Sequence, residues 1–287
     1  MSTVLITGTS KGIGLETALI MGRAGHEVFA TMRNPGGSPQ LAETASEEGL
    51  TITVSAMDVD SDASVSEAVD EIYASGKNID VLVNNAGIER NGSIEELPFE
   101  DFRAVMETNY FGAIRCIQAV IPRMRERESG CIVNVTSIAG RLSSSPLAPY
   151  TASKHALEAL SECLAQEMKP FNVRVAIIEP GIINTAMAQR LGHEKNSSRY
   201  PQVARFSGLF SASLENPVPP SVVGQKILEV AESDEWTLRH PIGPDAAPFL
   251  EWRGSMNDEE WTEWGALNDE DWYARVESDF GLDARLS

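Results

Sequence analysis

Tyr150, Thr151, Ala152, Ser153 and Lys154 form a Tyr-x-x-x-Lys stretch thirteen residues beyond Ser137. Those residue types bring a phenol, an ammonium and a hydroxyl to one place, where they can serve one carbonyl oxygen. In a helix, Tyr150 and Lys154 share a face, so the lysine charge is expected near the tyrosine hydroxyl. A free phenol titrates near pH ~10, and a neighbouring cation favours the phenolate, which brings the group toward acid–base work near neutrality. Reduction of a ketone by hydride makes an oxyanion that must be protonated as it forms. Tyr150 is the expected general acid, with Lys154 lowering its pKa and Ser137 donating a hydrogen bond to the substrate oxygen. In the opposite direction Tyr150 acts as base on an alcohol. Ser137 does not sit in a G-x-S-x-G elbow and has no evident His/Asp partners, so nothing here points to a serine hydrolase.

These side chains need a scaffold, and the start of the chain supplies one. Val4-Leu5-Ile6 runs into Thr7-Gly8-Thr9-Ser10-Lys11-Gly12-Ile13-Gly14 and then into an apolar-periodic segment, which reads as strand, glycine turn and helix. Glycines let the backbone turn tightly and approach a pyrophosphate, and the following helix offers free N–H groups and a positive dipole end. The spacing is G-x-x-x-G-x-G and differs from the G-x-G-x-x-G dinucleotide fingerprint.

Taken together, the two ends resemble the short-chain dehydrogenase/reductase family, over residues 2 to 240. The family's glycine motif corresponds to Thr7–Gly14, its adenine-pocket acid to Asp58 in Met57-Asp58-Val59, and its Asn-Asn-Ala-Gly motif to Asn84–Gly87. Its helix asparagine matches Asn109, its active-site serine Ser137, and its Pro-Gly nicotinamide motif Pro180-Gly181-Ile182-Ile183-Asn184-Thr185. The resemblance implies Asn109, Ser137, Tyr150 and Lys154 as the catalytic set, with Asn109 holding a water that links the lysine to solvent. It also implies a cofactor site built from Gly8, Thr9, Ser10, Lys11, Gly12, Ile13, Gly14, Arg33, Asp58, Val59, Asn85, Ala86, Gly87, Tyr150, Lys154, Pro180, Gly181, Ile183 and Thr185. Dimers or tetramers are common in that family, so a homo-oligomer is expected.

Charge distinguishes the two nicotinamide cofactors. NAD-binding relatives end the second strand with an acid that takes the ribose hydroxyls. In His26–Asn34 that position is Met32, Arg33 follows at once, and Lys11 lies on the same side of the adenosine. Two cations and no acid favour the 2′-phosphate of NADP, which Arg33 can grip bidentately; NAD remains the alternative. The expected function is NADP-dependent interconversion of a ketone or aldehyde with an alcohol. The alternatives are an NAD-dependent alcohol dehydrogenase of steroid, retinol or sugar-alcohol type, and a non-catalytic NADP-binding or sensing protein. The Ala30–Pro35 region is similar to that of steroid and retinol dehydrogenases, which concerns the cofactor end and not the substrate.

Strands are expected at 3–7, 27–32, 51–57, 80–84, 131–136, 173–179 and 236–239, and helices at 13–24, 39–48, 62–75, 99–128, 150–168 and 221–233. Continuous apolar strands alternating with helices make the fold class α/β: a Rossmann-type doubly wound parallel sheet in one domain over 1–240, with the motifs at the carboxyl ends of the strands. Residues 186–220 lack a periodic pattern and are read as a long loop, a substrate flap by family resemblance. Residues 241–287 form an acidic, Trp-rich extension. All five tryptophans lie at 236 or beyond, and Asn257…Glu260 and Asn268…Asp271 repeat a helix-cap pattern. Two short helices are expected there, in a structural or subunit-contact role, with substrate gating as the alternative.

A net charge of −19 argues against a nucleic-acid backbone or an anionic membrane as partner and leaves a small-molecule carbonyl or alcohol substrate. No secretory leader or membrane-spanning run stands out, and Cys116, Cys131 and Cys163 read as buried thiols in a reducing compartment, so a cytoplasmic location is expected. No metal is expected, because no ligand cluster recurs at metal spacing.

Overall fold

Runs of β-branched and apolar residues give the strands, and alternate side chains feed two separate cores. The computed structural model describes residues 1–193 and 198–285, so 194–197 of the expected flap lie outside the described residues. The strands are β1 (Thr3–Thr7), β2 (Glu27–Met32), β3 (Ile52–Ala56), β4 (Val81–Asn84), β5 (Gly130–Val135), β6 (Val173–Pro180) and β7 (Arg239–Ile242). They pair in parallel in the order β3-β2-β1-β4-β5-β6-β7. The order reverses between β1 and β4, which is where such folds open a ligand crevice.

Because side chains alternate across a strand, Val4 and Ile6 of β1 face one side and Leu5 the other. Val4, Ile6, Val83, Val133 and Ile178 pack against α1 (Gly12–Arg23) and α9 (Ser221–Glu232) through residues such as Leu19 and Ile227. Leu5, Leu82 and Ile132 pack against α3 (Asp62–Ala74), α5 (Gly112–Arg127) and α6 (Ala148–Met168) through Val69, Val120 and Leu164. Leu5, Leu82 and Ile132 have no exposed surface, and truncating one to Ala is expected to cost ~2–5 kcal/mol. The remaining outer helix, α2 (Gln40–Glu48), covers β3.

Several expectations need correction or refinement. The helix expected over 99–128 is continuous but irregular: α4 (Phe99–Met106) passes through a π-helical turn at Glu107–Phe111 into α5. The last strand is Arg239–Ile242 and not 236–239, since its register is set by pairing with Ile177–Pro180 of β6 and not by its own polar sequence. The segment 186–220 is no long loop, because its described residues include α7 (Ala186–His193) and α8 (Pro201–Ser213). The extension holds three helices, α10 (Ala246–Gly254), α11 (Asp258–Ala266) and α12 (Asp269–Phe280). The caps at Asn257 and Asn268 stand as read: each side chain accepts the N3 amide, from Glu260 and Asp271, and at Asn257 the reciprocal bond completes a capping box. Cys116 and Cys131 are buried, whereas Cys163 is exposed on α6. Among the described residues no helix is long and apolar enough to cross a membrane.

Candidate active site

At the carboxyl ends of the strands, β1 turns through the glycine loop into α1. Gly8 has φ +71°, and a Cβ there would lie 2.7 Å from the Cα of Ala86; at Gly14 it would lie 2.4 Å from the Gly8 carbonyl. Any side chain at these positions would push the loop off the β4 end. Asn85 holds the same junction from the other side, donating to the carbonyls of Thr7 and Gly8 at 2.9 and 3.1 Å. The Thr7 hydroxyl accepts from the amides of Asn85 and Ala86. No side chain caps the start of α1, so its first amides keep their donors for an anion.

Above this junction opens a cavity of about 560 Å³. Of the residues expected to hold a cofactor, Gly8, Ser10, Lys11, Gly12, Ile13, Gly14, Arg33, Asp58, Val59, Asn85, Ala86, Gly87, Tyr150, Lys154, Pro180, Gly181, Ile183 and Thr185 all line it. Thr9 does not. It is fully buried, and both its amide and its hydroxyl donate to the Thr31 carbonyl, so it braces the loop from behind. The glycine cradle, the uncapped helix start and the size of the cavity together fit a dinucleotide.

Ser137, Tyr150 and Lys154 share one wall of this cavity. Ser137 follows β5; its hydroxyl accepts from the Ala139 amide at 3.1 Å and leans toward the Pro180 carbonyl at 3.4 Å. Tyr150 lies in the first turn of α6, and Lys154 comes one turn later, with its Nζ donating to the Val135 carbonyl at 2.9 Å and 5.6 Å from the Tyr150 ring centre. Burial pushes the Tyr150 phenol up to about 12, against an opposing hydrogen bond with Ser137. Burial likewise pushes Lys154 down to about 8, with the Glu158 charge pulling the other way. This corrects the expected lowering of the phenol by Lys154: the ammonium is turned onto a backbone carbonyl, and desolvation dominates. At neutral pH the phenol therefore keeps its proton.

Asn109 is placed by the π-helical turn and does not reach the main cavity. It is 1% exposed. Its Oδ1 accepts from the Ile88 amide, and its Nδ2 donates to the Ile88 carbonyl and the Ser153 hydroxyl. It therefore fixes the Gly87–Ile88 backbone against α6. A one-residue bulge within a helix is a device often found at functional sites.

Residues 2–196 match the family model for short chain dehydrogenases. The chain belongs to the short-chain dehydrogenase family. It is an NAD(P)-dependent oxidoreductase of that family, and similar proteins span its length. An uncharacterized oxidoreductase of Bacillus subtilis, YusZ, is 34% identical over 272 residues, covering 92% of this chain and 95% of the relative. Bovine retinol dehydrogenase 8 is 39% identical over 203 residues, which is 69% of this chain and 64% of the relative. Among solved structures, a short-chain dehydrogenase from Streptomyces avermitilis superposes with a TM-score of 0.78 at 31% identity, covering 92% of this chain and 95% of that one. A single-substitution variant of actinorhodin polyketide ketoreductase with NADPH gives 0.71 at 29% identity, with 86% and 92% covered.

In this short-chain dehydrogenase the opposite wall comes from the segments with the weakest sequence signal. Leu147, Leu191 and Phe206 form a small apolar cluster against which Tyr150 and Phe210 pack. Glu89, buried beyond the Asn-Asn-Ala-Gly motif, pairs with Arg190 of α7 and ties that helix to the site. The extension contributes Phe249, Trp252, Trp261, Trp264 and Phe280 to the cavity wall. Asp245, just before α10, accepts from the Ile182 amide at 2.7 Å, and a Cβ on Gly181 would lie 2.2 Å from its carboxylate. Neither Glu89 nor Asp245 carries a sequence signal. Pro201 at the first position of α8 is one, since proline favours that position.

Proposed function

We propose that this short-chain dehydrogenase is an NADP-dependent reductase of a ketone or aldehyde, with Tyr150 as the general acid. The observation that carries the reading is the convergence of Tyr150, Ser137 and Lys154 on one wall of the cavity whose far end is the glycine cradle. When bound, the nicotinamide supplies the hydride or takes it up. The protein's own contribution is to hold the carbonyl oxygen between the Ser137 hydroxyl and the Tyr150 phenol, which delivers the proton as negative charge develops. A phenol pushed to about 12 is protonated at physiological pH, as a general acid must be. The Lys154 ammonium, bonded to the Val135 carbonyl and 5.6 Å from the Tyr150 ring centre, is the nearest cation on that wall and can favour the tyrosinate once it forms.

The NADP preference rests on β2. Met32 occupies the position of the NAD-selecting acid and is buried in the core at 3% exposure, while Arg33 and Lys11 are exposed at the cavity edge. Asp60 lies close enough to feel the Arg33 charge, but its Oδ2 is occupied by the Thr108 hydroxyl. Similar structures that hold NADP include a gluconate 5-dehydrogenase from Burkholderia cenocepacia, at 27% identity and a TM-score of 0.69. A panel of ketones and aldehydes with NADPH and NADH, followed by loss of reduced-nicotinamide absorbance, tests the reading. Turnover with NADPH is expected. Turnover with NADH alone would overturn the cofactor assignment, and none with any carbonyl would overturn the activity.

A further inference from the structure

We infer that the C-terminal extension is the specificity wall of the active site, and that the substrate is a neutral carbonyl compound carrying a bulky fused-ring or similarly broad apolar body. This deepens the proposed reductase reading and rests on it. Trp252 stands at the centre of an aromatic box. It is edge-on to Trp261 at 5.5 Å and 80°, to Trp264 at 5.0 Å and 78°, and to Phe280 at 4.8 Å and 72°, while Trp261 and Trp264 stack on each other at 5.3 Å. All four rings line the cavity that holds Tyr150. Phe206 and Phe210 of α8, tilted together at 4.7 Å and packed in the same cluster as Tyr150, line the same cavity. A carbonyl held at Tyr150 and Ser137 therefore has its remaining substituents in a cavity lined by aromatic rings of α8 and of the extension.

The box is fixed to the catalytic domain and not merely near it. The Trp261 indole donates to the Ser143 carbonyl at 3.0 Å, in the loop that leads into α6 and Tyr150. Arg205 of α8, almost fully buried, pairs with Asp269 at 2.7 Å and lies over the Trp272 ring. Gln202 donates to the Gly265 carbonyl at 3.2 Å. These bonds hold the rings at a set distance from the phenol, as a specificity surface requires.

The charges around this end are already matched, which decides between neutral and ionic substrates. Glu89 and Arg190 neutralise each other, and Arg205 is held by Asp269. An aromatic box also suits a quaternary ammonium group. Here, however, Arg253 already lies over the Trp261 face, 5.1 Å from its centre, so a ligand cation would compete with a resident one. A neutral ring gains the apolar contact and aromatic packing with no such competition.

The test pairs kinetics with binding in the full-length protein. With NADPH, 2-acetylnaphthalene is expected to have a kcat/KM on the order of a hundredfold above hydroxyacetone. Trp252→Ala is expected to lower kcat/KM for 2-acetylnaphthalene on the order of tenfold or more, chiefly through KM, and that for hydroxyacetone less than about threefold. Trp252→Phe should restore most of the loss, and NADPH binding followed by fluorescence should be unchanged in both variants, which separates wall from fold. Independently of turnover, 2-acetylnaphthalene should quench tryptophan emission in Tyr150→Phe protein, and Trp252→Ala should abolish the tight component. If no carbonyl is reduced but this quenching and its loss are seen, the reductase reading fails and the aromatic site stands. If carbonyls are reduced but hydroxyacetone is preferred, if Trp252→Ala affects both ketones equally, or if a trimethylammonium-bearing acetylnaphthalene binds more tightly than the neutral one, the inference is overturned.

Discussion

Lys154 offers a prediction in which function and stability oppose each other. The residue is 4% exposed, and burial lowers its pKa from 10.5 to about 8, against the raising influence of Glu158. The proposed mechanism uses the charged form, to hold the cofactor and to favour the tyrosinate. At pH 9 only about a tenth of the free protein carries that charge. The kcat/KM for NADPH, which reports on the free enzyme, should therefore be level to about pH 7 and fall about tenfold per unit above pH ~8. Glu158→Gln removes the group that holds the value up, so the alkaline limb should move to lower pH. Stability runs the other way. Because the folded pKa lies below the unfolded one, the folded state bears the desolvation penalty in full below about 8 and sheds it as pH rises from about 8 to 10.5. The gap corresponds to at most about 3 kcal/mol. Lys154→Met should thus raise Tm at pH 7, lose that advantage near pH 11, and abolish turnover throughout. A profile of kcat/KM that stays level to pH 10, or a Lys154→Met protein no more stable than the parent at pH 7, would show that burial does not depress the Lys154 ammonium.

Two further perturbations probe the edges of the site. Arg33→Ala removes one charge-assisted contact, ~1.5 kcal/mol at the low end appropriate to an exposed group, so KM for NADPH should rise about tenfold at fixed ionic strength while KM for NADH stays nearly unchanged; equal weakening of both would make Arg33 a general surface charge. Asp245→Ala unties the Gly181–Ile182 backbone from the start of the extension and should cost ~1–2 kcal/mol in urea unfolding and raise KM for NADPH severalfold; an unchanged KM would show that the loop holds its shape alone.

The parts legible in the sequence are those where local chemistry decides the structure. Val4-Leu5-Ile6 has to be a buried strand, Gly8 and Gly14 have to pass close to other backbone, and Asn257 and Asn268 cap helices by bonds made within four residues. The site residues at strand ends follow from those strands, and of the expected cofactor set only Thr9 turns away from the cavity. What is not legible depends on partners remote in the chain. The helix α7 is held by Glu89, which lies 101 residues before its partner Arg190. The extension rings are held near Tyr150 by remote contacts such as Trp261 on Ser143 and Asp269 on Arg205, and α10 carries no side-chain cap to announce its start. The π-helical turn at Asn109 looks, in sequence, like an uninterrupted helix. The Tyr150 pKa escapes sequence reading for the same reason: helical spacing places Lys154 on the right face, but the Val135 carbonyl decides where its ammonium points.

In the proposed mechanism Tyr150 delivers the proton to a carbonyl oxygen. Its most direct measurement is single-turnover NADPH oxidation by Tyr150→Phe on a ketone that the parent protein reduces, with NADPH affinity measured on the same preparation. The phenylalanine keeps the ring that packs against Phe206 and Leu147 and loses only the hydroxyl. The rate should fall on the order of a hundredfold or more, with NADPH affinity unchanged within about threefold. A single-turnover rate within a factor of about three of the parent would show that Tyr150 is not the proton donor.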